Sequence, residues 1–295
     1  MPKPVPRARS FLWIALAYAA SLAAAFAVTR ALGPDVHPLW SAAAADTAAT
    51  VVVFAFSVVF DNSSVYDPYW SVAPIAIAPY LALRPEATSG LLARKILVVT
   101  LVTLWGVRLT YNWARGFPGL HHEDWRYVDL RRKTGPGYWP TSFFGLHFFP
   151  TVLVFLGCFP LLSALGGTAP LGPLDAVAAL VTAGAIAIET IADEQLLRFR
   201  RTKKDPGEIM ASGLWAYSRH PNYFGEVTFW WGLFLFGLAA APFAAWTLTG
   251  AVAITLLFVF ISIPMIDRRS IARRPAYAEH AKRVSALLPW FPKRS

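Results

Sequence analysis

Long apolar stretches alternate with short polar stretches along most of the chain, and this pattern predicts membrane-spanning helices. A helix needs about 20 predominantly apolar residues to cross the hydrocarbon core of a bilayer. Eight segments approach that length, at about 11–32, 41–60, 68–84, 92–114, 142–165, 174–197, 222–240 and 243–266. The pattern therefore predicts an all-α fold, a polytopic membrane helix bundle.

The third segment, 68–84, departs from this pattern because it is short and contains Pro68, Pro74 and Pro79. Proline removes a backbone donor and kinks or breaks a helix. Irregular backbone is tolerated at membrane depth only where it is buried or lines a cavity. We therefore expect this segment to be broken or tilted, and we predict seven to eight transmembrane helices.

The composition agrees with a membrane protein. The chain is 56% hydrophobic and 15% charged, with a mean hydropathy of +0.46, whereas soluble domains have about 25% charged residues. The apolar run at 11–32 is long and lacks a clear cleavage site, so we interpret it as a retained helix rather than a signal peptide. The single cysteine, Cys158, and the absence of C-x-x-C and H-E-x-x-H motifs predict neither a disulfide nor a metal site.

The basic residues are distributed unevenly over the two sides of the predicted bundle. If the N-terminus is cytoplasmic, 22 of the 27 Lys and Arg residues fall on the cytoplasmic side and four on the other. This is the positive-inside distribution, and an even number of helices would place both termini in the cytoplasm. The net charge of +10 is thereby assigned to membrane orientation, so we expect no nucleic acid partner. We expect a multi-pass protein of a bacterial inner membrane.

The stretch 213–226, GLWAYSRHPNYFGE, is the most polar point at which the chain re-enters an apolar segment. Pro221 suits the first turn of a helix, and that helix would carry Asn222, Glu226 and Trp230 on one face. Glu226 falls about one turn into the apolar segment, where a carboxylate is costly and indicates a functional site. The alternative is a membrane-entry loop with Arg and Tyr at the headgroup level.

Other polar residues also interrupt the apolar pattern. Arg108 is expected either to face the interior and pair with a carboxylate or to extend towards the interface. Glu189 and Asp193 lie four residues apart on one helix face, either as acid and base, as ligand acceptors, or as the solvated end of a helix. Asp67 precedes a proline, so it is either a turn or helix-cap residue or a functional acid. The charged and aromatic loop at 121–139 is expected to cap the active site.

Together these residues resemble the steroid 5-alpha-reductase family, in a bacterial branch of that family. The resemblance is best over residues 188–290, through D-E-Q-L-L-R-F-R, K-D-P-G-E, G-L-W-A-Y-S-R-H-P-N-Y-F-G-E and A-Y-A-E-H-A-K-R-V-S-A-L-L-P-W. It extends more weakly to Y-D-P-Y-W-S-V-A-P at 66–74 and to W-G-V-R-L-T-Y-N-W-A-R-G at 105–116. Residues 1–40 lie outside it as an extra transmembrane helix, which leaves 41–295 as the reductase-like domain with its cofactor-binding part at 188–290.

The resemblance implies NADPH-dependent reduction of an activated carbon–carbon double bond. The residues it implies for cofactor binding are Asp193, Arg200, Tyr217, Arg219, His220, Asn222, Tyr223, Glu226, Arg269 and Arg273. For catalysis it implies Asp67 as the acid that polarises the substrate carbonyl, with Tyr66 and Trp105 as the other candidates. Trp105 stands where the family has a catalytic tyrosine, and Tyr66, Tyr69 or Tyr111 could replace that tyrosine.

The substrate implied is an apolar, steroid- or isoprenoid-like enone that enters from the bilayer, and membrane lipids are the other expected partners. We expect a monomer. One alternative is a membrane methyltransferase of the isoprenylcysteine carboxyl type, which shares an R-H-P-x-Y-x-G core and uses S-adenosylmethionine. Another is a non-catalytic transporter or scaffold, which would bind no nucleotide.

Overall fold

The computed structural model describes residues 6–293, and within this range the chain is helical and contains no strand. The thirteen α-helices are α1 (Arg7–Leu32), α2 (Pro38–Val59), α3 (Tyr69–Ala82), α4 (Leu92–Gly116), α5 (Trp125–Thr134), α6 (Tyr138–Ser142), α7 (Phe149–Gly157), α8 (Phe159–Gly166), α9 (Pro173–Thr202), α10 (Pro221–Ala240), α11 (Leu248–Leu257), α12 (Ile263–Arg273) and α13 (Pro275–Arg283). The predicted all-α fold class is thus confirmed for the described residues.

Six helical segments of the described chain are long and apolar enough to cross a membrane, which supports an integral membrane protein. They are Arg7–Leu32, Pro38–Val59, Trp125–Gly166, Pro173–Thr202, Pro221–Ala240 and Pro242–Arg273. The predicted count of seven to eight is not confirmed. Helix α3 has only 14 residues, and α4, with 25 residues, is not among the six although it is long enough.

Helix α3 is short and helix α4 is longer, and the two pack closely against each other. Pro74 and Pro79 lie inside α3, as expected for an irregular segment. At Gly106 of α4, an added Cβ would lie 2.6 Å from the carbonyl oxygen of Ser71, so only glycine allows this approach. The two helices consequently present Trp70 and Trp105 to α10.

Helices α9 and α10 also approach each other closely, at the centre of the bundle. A Cβ added to Gly225 of α10 would lie 2.8 Å from the carbonyl oxygen of Ala185 and 2.9 Å from the backbone nitrogen of Glu189. Because van der Waals contact between helices requires small residues when the backbones are this near, Gly225 sets the spacing. This contact brings Glu189 and Glu226 to the same level of the bundle.

Basic side chains make different contacts at the two ends of the bundle. At one end, Arg7 donates to the Ala114 carbonyl at 2.9 Å, and Arg269 lies 3.7 Å from the Asp129 carboxylate. At the other end, Arg94 forms a buried ion pair with Asp175 at 2.6 Å. The basic ends of α1, α4 and α12 thus share one face of the molecule, while the compartment that this face meets stays a prediction.

Candidate functional site

Glu226 lies on α10 in the core of the bundle, with 4% of its surface exposed. Its Oε1 accepts hydrogen bonds from the indole nitrogens of Trp70 at 2.7 Å and Trp230 at 3.0 Å, and its Oε2 accepts one from Trp105 at 3.0 Å. An indole N–H can only donate, so all three tryptophans serve this carboxyl group. We call these four residues the indole cradle.

Beside the cradle, Arg108 of α4 binds two carboxylates of α9. Its Nη2 lies 2.7 Å from Glu189 Oε1 and its Nη1 lies 2.9 Å from Asp193 Oδ2. Asp193 also accepts hydrogen bonds from Asn112 at 2.9 Å and from Asn222 of α10 at 3.3 Å. We call these five residues the charged cluster. Of the two alternatives for Arg108, the structure supports the one in which the side chain faces the interior and pairs with carboxylates.

The charged cluster and the indole cradle together contain more carboxyl groups than cations. Glu189 lies beside Glu226, so Glu189, Asp193 and Glu226 face the single guanidinium of Arg108. The Glu189 Oε2 atom has no hydrogen-bond partner among the described residues. Since unpaired charge in a desolvated site is costly, this site suits a ligand that brings hydrogen-bond donors or positive charge.

A second feature, the basic pocket, opens next to the charged cluster between α9, α10, α12 and α13. Its volume is about 190 Å³. Arg200, Lys203 and Arg274 line it, and none of the three makes an ion pair with a described residue. Three cations without carboxylate partners around one pocket favour an anionic ligand, and guanidinium groups match phosphate oxygens well.

Asp267 of α12 holds one wall of the basic pocket in place. It accepts hydrogen bonds from Arg219 at 2.7 Å, from His220 at 2.9 Å and from Tyr277 of α13 at 2.6 Å. Burial and the adjacent Asp267 carboxylate raise the pKa of Tyr277. Arg219 also donates to the Val284 carbonyl at 2.6 Å. Arg219 and His220 therefore join the stretch 213–226 to the C-terminal segment, and Arg219 is already neutralised within the protein.

The residues expected to bind a cofactor fall into two groups. Five of them line the basic pocket, namely Arg200, Arg219, His220, Asn222 and Tyr223. Two more lie next to the pocket. Asp193 contacts the pocket residue Asn222, and Glu226 belongs to the indole cradle. The structure thus brings seven of these ten residues into one region.

The remaining three residues lie outside the basic pocket. Tyr217 is exposed and packs its ring against Phe291. Arg269 stacks over Trp125 at 3.8 Å, and Arg273 is exposed at the end of α12. Arg274, the extended residue that joins α12 to α13, is the arginine of this segment that lines the pocket.

Asp67 lies in the connection between α2 and α3 with its Oδ1 atom 2.5 Å from the hydroxyl of Tyr127, which donates to it. Burial raises the pKa of Asp67 to about 6, against the opposing effect of Arg126. Asp67 is a turn residue that directly follows the 3-10 helix Ser63–Tyr66, and its side chain does not cap α3, whose N-cap residue is Pro68.

The three catalytic candidates do not converge on one point. Tyr66 hydrogen-bonds through its hydroxyl to Thr151 at 2.8 Å, and Trp105 belongs to the indole cradle. Tyr69 and Tyr111 are also engaged elsewhere, with Asp46 and Arg115 respectively. Tyr127, which donates to Asp67, lies in the charged and aromatic loop at 121–139 that the sequence predicts to cap the active site.

Several residues of these sites were not singled out in the sequence. Asn112 follows Arg108 by four residues and was detectable as a polar residue on the same helix face. Trp70 and Tyr127 gave no local signal, since their contacts join residues 156 and 60 positions apart in the chain. Only the packing of α3, α5 and α10 brings them to the site.

Comparison with known proteins places the chain in a family without assigning it an activity. An uncharacterised fission yeast protein, C594.04c of Schizosaccharomyces pombe, is 26% identical over 261 residues, which cover 81% of this chain and 76% of the yeast protein. No solved structure matches the chain. The family described as "Protein of unknown function (DUF1295)" matches residues 53–284, which include the indole cradle, the charged cluster and the basic pocket. The chain is therefore a member of the DUF1295 family.

Proposed function

We propose that the protein is a membrane-embedded, NADPH-dependent reductase of an activated carbon–carbon double bond in an apolar, steroid- or isoprenoid-like enone. The observation that carries this proposal is the position of Asn222. Its side chain lines the basic pocket and also donates to Asp193 of the charged cluster. One elongated ligand could therefore place anionic groups in the pocket and a polar, uncharged end at the cluster.

The residues of the basic pocket fit the phosphates of NADPH, because Arg200, Lys203 and Arg274 supply three cations that no carboxylate neutralises. The pocket volume of about 190 Å³ is below the 300–1,000 Å³ typical of whole-ligand pockets, which suits part of a dinucleotide. NADPH, when bound, would supply the hydride. Asn222 and the free Glu189 Oε2 are the groups left to orient the polar end, because the cradle occupies Glu226.

In this proposal Asp67 and Tyr127 serve the substrate carbonyl. Reduction of an enone develops negative charge on the carbonyl oxygen, and a positioned donor stabilises that charge. A carboxyl group with a raised pKa keeps its proton near neutral pH more often than an ordinary aspartate does. Asp67, or Tyr127 acting with it, would therefore donate to the oxygen while the rest of the chain holds the reactants in place.

A methyltransferase that uses S-adenosylmethionine is the second candidate, and one specific observation favours it. The carboxyl excess around Arg108 suits a positively charged sulfonium as well as it suits an oxidised nicotinamide. The two candidates differ in the anionic part of their ligand, since S-adenosylmethionine has no phosphate for Arg200, Lys203 and Arg274 to bind. Ligand preference therefore separates them.

Thermal unfolding of the purified protein with NADPH, NADH or S-adenosylmethionine tests the proposal. A ligand that binds only the folded state stabilises it by about 2.7 kcal/mol at a hundred times its Kd, so NADPH should raise the melting temperature. The double variant Arg200→Gln, Arg274→Gln should weaken NADPH binding about tenfold or more. Arg269→Gln is the matched control, because this arginine lies outside the pocket and should leave binding unchanged.

Activity is then measured as NADPH oxidation in the presence of apolar enones. Tyr127→Phe and Asp67→Asn should keep the NADPH shift and lower kcat about a hundredfold, as expected for groups that act on developing charge. A shift with S-adenosylmethionine and none with NADPH would establish the methyltransferase instead. A protein that responds to no nucleotide would fit the transporter or scaffold alternative.

A further inference from the structure

A second cavity lies between α1, α2 and α3, outside the basic pocket, the charged cluster and the indole cradle. Its volume is about 240 Å³, and alanines and aliphatic side chains form most of its wall. Leu22 and Phe26 line it while remaining 46% and 67% exposed on the outer surface of α1. Because α1 and α2 are both long and apolar enough to cross a membrane, the cavity opens sideways into the hydrocarbon of the bilayer.

One carboxyl group interrupts this apolar wall. Asp46 of α2 is 6% exposed and lines the cavity. Its Oδ1 accepts a hydrogen bond from Tyr69 at 2.7 Å, but its Oδ2 is buried and has no partner among the described residues. A buried carboxyl oxygen without a partner costs several kcal/mol in an apolar medium, and ionisable residues in such positions mark ligand sites.

The shape of the cavity limits what can fill it. Tyr69 and Tyr80 both line it, and eleven residues of α3 separate them, which corresponds to about 16 Å at the rise of a helix. The cavity is therefore elongated along α3, and a single hydrocarbon chain follows this axis.

We infer that this cavity binds a single-chain lipid alcohol, with its hydroxyl hydrogen-bonded to Asp46 Oδ2 and its chain lying along α3. A hydroxyl can donate and accept, so it satisfies the unpartnered oxygen whichever form the carboxyl takes. The site contains neither Asp67 nor any residue of the basic pocket or charged cluster. The inference is consequently independent of the proposed reductase activity.

Photolabelling in phosphatidylcholine nanodiscs tests the site. The probe is tetradecanol with a diazirine on its chain, and the labelled peptides are mapped by mass spectrometry. Labels should concentrate on α1, α2 and α3. Unlabelled tetradecanol should compete at least about tenfold better than tetradecane, since the alkane can neither donate to nor accept from the buried carboxyl group.

Three variants decide the role of Asp46 and of the cavity. Asp46→Leu should remove the preference for the alcohol, and the Tyr69 hydroxyl keeps a partner there because it also donates to the backbone oxygen of residue 46 at 3.0 Å. Ala76→Phe should fill the cavity and abolish labelling at full stability. Ser41→Ala is the control, a buried polar residue of α2 outside the cavity, and should behave as wild type.

Equal competition by tetradecane would overturn the inference, because an alkane can neither donate nor accept a hydrogen bond. Labelling that spreads over the outer surface and survives Ala76→Phe would also overturn it. Neither result depends on NADPH or on reductase activity, so failure here is distinguishable from failure of the proposed function.

Discussion

At the scale of single residues, the Arg108 guanidinium is the cation on which two buried carboxylates depend. Arg108→Met would leave Glu189 and Asp193 without it, and removal of one member of a buried ion pair costs about 3–5 kcal/mol. We expect a large loss of melting temperature in detergent. Lys282→Met is the control, because its pair with Glu279 is exposed and should contribute nothing measurable.

The triple variant Arg108→Met, Glu189→Gln, Asp193→Asn distinguishes charge imbalance from lost packing. It removes the carboxylates together with the guanidinium, so it should recover most of the stability that Arg108→Met loses. A triple variant as unstable as the single one would mean that Arg108 acts by its volume.

Asp67 predicts a dependence of stability on pH. Its folded-state pKa of about 6 lies above its ordinary value of 3.8, so the folded protein binds this proton more tightly than the unfolded chain does. The resulting stabilisation, at most about 3 kcal/mol, is complete below about pH 4 and is lost as the pH rises through about 6. Denaturant titrations over that range should show a fall in unfolding free energy that Asp67→Asn abolishes.

Asp61→Asn is the control for this measurement, because Asp61 is an exposed carboxylate in the same connection. The Asp61→Asn protein should show the same fall in unfolding free energy with rising pH as the wild type. A slope that Asp67→Asn leaves unchanged would show that the carboxyl of Asp67 titrates alike in the folded and unfolded states.

The sequence identified residues better than it identified their partners. Arg108, Glu189, Asp193 and Glu226 stood out because charge inside an apolar segment needs a reason. That Glu226 would be held by three indoles could not be read from the chain, because Trp70 and Trp105 come from two other helices. A pattern shows that a buried carboxylate needs donors, whereas only packing decides which donors reach it.

At the scale of helices, the spacing of α9 and α10 leads to a prediction at Gly225. A Cβ there would meet the Ala185 carbonyl at 2.8 Å, and backbone cannot move aside as a side chain can. Gly225→Ala should therefore force the helices apart, lower the melting temperature and weaken NADPH binding together. Gly184→Ala of α9 is the matched control, because a Cβ there meets nothing within 4 Å and should add up to about 1 kcal/mol of helix propensity.

A Gly225→Ala protein with wild-type stability and binding would contradict the assigned spacing.

At this scale the apolar pattern located the helices well and their interruptions less well. Three prolines mark the irregular α3, and Pro150 lies just after the π-helical turn at Phe143–Phe148, inside the apolar run predicted as one helix, 142–165. Proline removes a backbone donor and clashes with the preceding turn, so the interruption also had a marker in the sequence.

At the scale of the whole molecule, the distribution of basic residues predicts orientation. Reporter fusions after Arg9 and after Ser295 should both give a cytoplasmic signal, because the basic ends of α1, α4 and α12 lie on one face. A reporter inserted between α8 and α9, near the buried Arg94–Asp175 pair, should give the opposite signal. A periplasmic signal from either terminus would refute this topology.

The six segments that are long and apolar enough to cross a membrane and the seven to eight predicted helices are compatible with the same orientation of the chain. Helices α3 and α4 run out and back as a packed pair, so they return the chain to the side from which it came. Hydropathy alone could not make this distinction, because a segment rich in apolar residues reads alike whether lipid or other helices surround it.

The indole cradle also gives the protein an intrinsic optical probe. Three of the protein's twelve tryptophans donate hydrogen bonds to one carboxyl group, that of Glu226. The Trp105 ring also stacks on Phe229, with 4.4 Å between the ring centroids. Indole absorption and emission respond to a hydrogen bond and to a nearby charge, so any event that moves or protonates Glu226 changes the spectrum of all three chromophores at once. Ligand binding, proton uptake and helix displacement at the core can therefore be followed in the unlabelled protein by ultraviolet difference spectroscopy.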